Sequence, residues 1–151
     1  MSHYRERLVP APWVFLSTAL LVPASILVFM PLTTVPGVLL GSIVGVVLYL
    51  GLVGTLVANS PVLDVTDGTV RVGRASIPAE LVGECTAYYG DDATAQRGRL
   101  MDMRAWLCIR GWIGPVVKMQ IADPLDPAPY WLVSTRRPGD FIDAVTASRG
   151  A

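Results

Sequence analysis

The residues able to do covalent or acid–base chemistry are few, and they lie far apart. His3 is the single histidine and precedes the apolar part of the chain, so no Ser-His-Asp or Cys-His set can be assembled in the later region. Cys85 and Cys108 form no CxxC pair and have no neighbouring histidine, so they read as two reduced, buried, strand-borne thiols. Gly111 to Pro115 carries glycines but neither the lysine nor the following helix of a phosphate cradle, and reads as a turn. Asp123 and Asp126 each precede a proline, which holds them extended in a rigid exposed loop rather than as an acid/base dyad. Of Tyr130 and Trp131, strand alternation puts one ring in the core and one outside. Arg136 and Arg137 read first as solvated turn residues; with Trp131 they are the candidate surface for a partner or an anion, and the loop holding Asp91, Asp92, Arg97 and Arg99 is a second exposed surface. No cofactor, metal or catalytic residue is expected.

The elements that must position these residues follow from local pattern. Asp67-Gly68 between two alternating runs predicts a hairpin with a type I′ turn. Its register sets Thr66 opposite Thr69, Val65 opposite Val70, Asp64 opposite Arg71 and Leu63 opposite Val72. An extended piece at Ala75 to Pro78 and one helical turn at Ala79 to Val82 come next. Strands are expected at 84–89, 105–110, 116–121 and 130–135, and Gly90 to Gly98 reads as a loop. After Pro138, the spacing of Phe141, Ile142 and Val145 predicts an amphipathic C-terminal helix.

Upstream, Leu8 to Leu63 is a run of 56 residues without Asp, Glu, Lys, Arg or His. A hydrocarbon core about 30 Å thick takes roughly 20 helical residues, so the run suits two crossings. The expected organisation is a cytoplasmic N-terminal segment at 1–12, a transmembrane hairpin at 13–60 with spans at 13–30 and 37–58, and a cytoplasmic β-rich domain at 62–151. Pro23 should kink the first span, Trp13 should anchor it at the interface, and Pro31 to Pro36 should form the turn. Gly37, Gly41 and Gly45 recur every fourth residue, a candidate helix-packing face that fits the first span or a second copy of the chain. With no ionisable group in either span, an ion or proton pathway has nothing to work with. Arg5 and Arg7 before the hairpin and Arg71 and Arg74 after it place both termini in the cytoplasm of a multi-pass plasma-membrane protein. Residues 64–151 hold 10 basic and 11 acidic side chains, a balance that gives no general attraction to nucleic acid or to anionic lipid.

Short strands closed by one C-terminal helix resemble the pleckstrin-homology-like plan of bacterial proteins with two spans before such a domain. The fold class expected is α+β, a two-helix hairpin followed by a small antiparallel barrel or sheet. Tyr4-Arg5-Glu6-Arg7-Leu8 before a proline-flanked span, together with Asp123-Pro124-Leu125-Asp126-Pro127-Ala128-Pro129-Tyr130-Trp131-Leu132-Val133-Ser134-Thr135-Arg136, is similar to an actinobacterial membrane family, domain-of-unknown-function family 3093. That family has no established activity, so the resemblance implies no catalytic residues. Arginine supplies 11 of the 12 basic residues, in keeping with a GC-rich genome. The expected function is a non-enzymatic, membrane-anchored interaction or scaffold module. Its partners are the lipid bilayer and a protein, or a second copy through the second span. The alternative is a domain that binds lipid or a phosphoanion at the inner face.

Overall fold

A computed structural model describes residues 4–32 and 34–150, so His3 and Thr33 lie outside the described residues. The chain divides into two units, one of residues 9–60 and the other of 1–8 with 61–151.

The first unit is an apolar helical hairpin. Helix α1 (Pro12–Ala19) stops at Leu20, and α2 (Leu21–Phe29) continues. The break falls where Pro23, lacking an N–H, cannot donate to the carbonyl one turn back. A single 3₁₀ turn (Met30–Leu32) leads to α3 (Thr34–Ala58). The connection is shorter than the expected Pro31–Pro36 turn because Pro36 sits within the first helical turn, where a missing donor costs nothing. The segments Pro12–Phe29 and Val35–Ala58 are long and apolar enough to cross a membrane. Their serine and threonine hydroxyls are satisfied locally: Ser17 and Thr18 donate to carbonyls three and four residues back, and Ser25, Ser42 and Thr55 to carbonyls four back.

The three glycines face α2 within the same chain. A Cβ on Gly37 would lie 2.5 Å from Phe29 O, one on Gly41 2.7 Å from Ile26 Cα, and one on Gly45 2.7 Å from Val22 Cα. Partner numbers fall as glycine numbers rise, so α2 and α3 run antiparallel with their backbones in close contact.

The second unit holds two four-stranded sheets. The first has the order β1-β2-β3-β4, from β1 (Tyr4–Arg7), β2 (Val62–Thr66), β3 (Thr69–Val72) and β4 (Ala75–Pro78). The β2–β3 register pairs Leu63 with Val72, Asp64 with Arg71, Val65 with Val70 and Thr66 with Thr69. Asp67 and Gly68 take φ of 49° and 71°, the positive values that a type I′ turn demands. The second sheet has the order β5-β7-β8-β6, from β5 (Val82–Tyr88), β6 (Trp106–Cys108), β7 (Val116–Ile121) and β8 (Tyr130–Ser134), with β6 parallel to β8. The two sheets do not close into a barrel. Helix α5 (Pro138–Ser148) lies against strands of both, burying Phe141, Ala144, Val145 and Ser148 at helical spacing.

Two local readings need correction. Tyr4–Arg7 is not part of a separate N-terminal segment over 1–12: it pairs antiparallel with β2, and the Leu8 amide donates to Pro61 O at 2.9 Å. Gly90 to Arg97 is not a loop but helix α4, with Asp91 and Asp92 in the first turn and Arg97 in the last, each sign favoured by the helix dipole. Ala93, on α4, belongs with Val116, Tyr130 and Leu132 to a small second core, while Trp131 and Val133 enter the main one. Strand β8 is therefore covered on both faces, and all five of its residues are buried.

Candidate functional site

The densest polar cluster joins the two ends of the sequence. On β1, Tyr4 and Glu6 point inward and Arg5 and Arg7 outward, the alternation of an edge strand with an acid turned toward the core. Glu6 is 8% exposed. Its Oε2 accepts the Tyr4 hydroxyl at 2.6 Å and the Thr135 hydroxyl at 2.6 Å. Its Oε1 accepts the Arg136 amide at 3.2 Å and faces the Arg136 guanidinium, Nη1 at 3.6 Å. A buried carboxylate is tolerable only when donors replace its lost water, and here four contacts do so.

Arg137 completes the arrangement. Its amide donates to Thr135 Oγ1 at 3.1 Å, its guanidinium lies 5.0 Å from the centre of the Tyr4 ring, and its Nη1 is 3.5 Å from Asp140 Oδ2. The Tyr4 ring also meets Phe141 edge-on at 5.3 Å. Burial, reinforced by the hydrogen bond to Glu6, holds the Tyr4 phenol far above its ordinary range. It is a fixed hydrogen-bond donor rather than a proton shuttle at neutral pH.

Each of Arg136 and Arg137 thus faces a carboxylate of the same chain, so neither arrives as an uncompensated anion ligand. Trp131, the third member of the candidate surface, is 4% exposed. Its Nε1 donates to Asp126 Oδ2 at 3.2 Å, and its ring centre lies 4.9 Å from that of Trp106. Tyr130 is buried as well, its hydroxyl accepting the Asp102 amide at 2.7 Å and its ring facing Lys118 Nζ at 4.1 Å. The expectation of one outward ring fails because α4 covers the second face of the sheet.

The aspartates of the proline loop act as turn-formers. Asp123 Oδ1 accepts the Leu125 amide and Asp126 Oδ1 the Ala128 amide, each at 2.9 Å. Both cysteines are free thiols whose pKa values burial raises, an effect partly offset at Cys85 by the Arg149 guanidinium 3.4 Å from its sulfur. A shallow hollow of about 350 Å³ lies on the outer face of the first sheet, lined by Asp64, Thr66, Asp67, Thr69 and Arg71. No group of three or more metal-ligating side chains occurs among the described residues.

Reading for chemistry passed over Tyr4, Glu6 and Thr135. The signal was the period-2 alternation of Tyr4, Glu6 and Leu8 against Arg5 and Arg7, too short to register as a strand beside so long an apolar run. The two motifs that carried the resemblance, Tyr4-Arg5-Glu6-Arg7 and Ser134-Thr135-Arg136, meet at this cluster.

An apolar two-helix hairpin inserted between the first and second strands of an α+β domain, with its buried charge spent on joining the chain ends, defines a class of protein by architecture rather than by reaction. The chain belongs to the family described as protein of unknown function DUF3093, whose model matches residues 3–145. No curated protein and no solved structure matches it.

Proposed function

We propose that this protein is a non-enzymatic, multi-pass membrane module of the plasma membrane. In this reading α1–α2 and α3 cross the bilayer as a hairpin, and the β-domain binds a protein partner at the cytoplasmic face or stabilises a larger membrane complex. One observation carries it: β1 and β2, at opposite ends of the hairpin, are neighbours in one sheet. The two ends of the hairpin therefore leave the domain side by side, which supports an even number of crossings with both termini on one side of the membrane. The arginines flanking the hairpin favour the cytoplasm. Many apolar side chains of the hairpin, Leu16, Leu27, Leu39 and Leu50 among them, are exposed on its surface, as lipid contact would have them. The reading of the β-domain as an open variant of the pleckstrin-homology-like plan is supported by its short strands and by α5 lying against both sheets, and the preference for arginine over lysine fits an actinobacterial source.

Affinity purification of the full chain from membranes in mild detergent tests this function. A stoichiometric partner or a defined self-oligomer is expected; a clean monomer with no partner overturns it.

A further inference from the structure

We propose that the outer face of the first sheet binds the phosphate headgroups of anionic phospholipids through Arg5, Arg7, Arg71 and Arg74. Strand register puts Arg5, Asp64, Arg71 and Ser76 in one row across the four strands. Arg7 lies two residues along β1 on the same face, opposite Val62, and Arg74 lies in the β3–β4 turn, where the Gly73 amide donates to Val62 O at 2.9 Å. All four arginines are exposed. Arg7 and Arg74 thus flank the end of the sheet from which both connections to the hairpin depart, through Leu8 and Pro61.

Charge is graded along this face. Asp64 stands between the two arginines of its row and accepts the Thr66 hydroxyl at 2.6 Å, whereas Asp67 and Glu80 lie at the far end, by the β2–β3 turn and beyond β4. Successive outward residues on a strand are about 7 Å apart and alternate strands about 10 Å, so the two arginine rows lie about 7 Å apart along the strands. Guanidinium groups take phosphate oxygens in pairs, and basic residues immediately beside a membrane helix are attracted to anionic lipid. This surface rests on the hairpin crossing the bilayer but not on the identity of any protein partner.

The test is reconstitution of the full chain in nanodiscs of phosphatidylcholine and phosphatidylglycerol, reading motional restriction of a spin-labelled lipid of each kind at the protein. Phosphatidylglycerol should be preferred, and the preference should fall in high salt. The Arg7→Gln/Arg74→Gln pair should reduce it, by up to about fivefold per arginine, while Arg7→Lys/Arg74→Lys keeps most of it. Arg99→Gln/Arg104→Gln, which removes equal charge elsewhere, should leave it unchanged. Equal restriction of both lipids, an equal loss in the control pair, or displacement by inorganic phosphate at constant ionic strength overturns the proposal. A chain that fails to incorporate overturns the hairpin reading as well; one that incorporates without preference overturns this proposal alone.

Discussion

Removing the Glu6 carboxylate would leave the Tyr4 and Thr135 hydroxyls and the Arg136 amide without their acceptor at once. Stranding buried donors in this way costs about 3 kcal/mol, so Glu6→Ala should lower the thermal midpoint of the purified full chain by about 6–12 °C. Intrinsic tryptophan fluorescence would follow it, since Trp106 and Trp131 lie in the affected domain. Tyr4→Phe keeps the ring against Phe141 and loses only the hydroxyl, a change of about 1 kcal/mol. Its sharper signature is in pH. The unfolded chain releases the tyrosine proton near pH 10 and the folded chain holds it longer, so the unfolded state binds fewer protons and stability falls as pH rises past that point. The half-buried Cys85 thiol and the buried Cys108 thiol begin the same trend near pH 9. Unfolding midpoints from pH 7 to 11 should decline in the parent and decline less steeply in Tyr4→Phe, and parallel curves would refute the assignment. This cluster was illegible residue by residue because Glu6 and Thr135 stand 129 positions apart. Arg136 and Arg137 were visible as charges, while the acids that compensate them were not.

Within elements, legibility tracked how locally each was encoded. The β2–β3 hairpin could be read to the residue because Asp67-Gly68 fixes the turn and the turn fixes the register. Strand β7 and helix α5 were equally plain, bounded by proline and carrying one clear period. Helix α4 was missed because Gly90, Asp91 and Asp92 are poor helix formers, and its stability comes from packing Ala93 against Val116, Tyr130 and Leu132, a tertiary term. Missing it in turn misplaced Tyr130 and Trp131. In the hairpin, the glycines separate into two sets that substitution can distinguish. Gly41→Leu or Gly45→Leu must push α3 off the α2 backbone, at roughly 1–3 kcal/mol, and should lower the thermal midpoint in detergent. Gly51 and Gly54 have nothing within 4 Å of a Cβ, so Gly51→Leu should leave that midpoint unchanged. Equal sensitivity at Gly45 and Gly51 would show that α2 and α3 do not pack as described.

For the whole molecule, the insertion of residues 9–60 between β1 and β2 makes the N-terminal strand a working part of the domain rather than a tail. Deleting residues 2–8 removes Tyr4, Glu6 and the fully buried Leu8 and uncovers the edge of β2. An uncovered edge seeks other strands, so the truncated chain should aggregate after extraction and be cut by protease within residues 62–78, where the parent resists. Membrane insertion should survive, since α1 to α3 are intact, and carbonate extraction would check it. Protease resistance equal to the parent's would mean that β1 is dispensable to the sheet.

The clasp between Glu6 and Thr135 also has a consequence in time. Ribosomes add about 5–20 residues per second, so the first strand is made roughly 6–26 s before the residue that secures it. During that interval β1 can already pair with β2, but of the three groups that donate to the Glu6 carboxylate only the Tyr4 hydroxyl has been made. The first sheet can thus be complete well before its buried carboxylate acquires the Thr135 and Arg136 donors that compensate it.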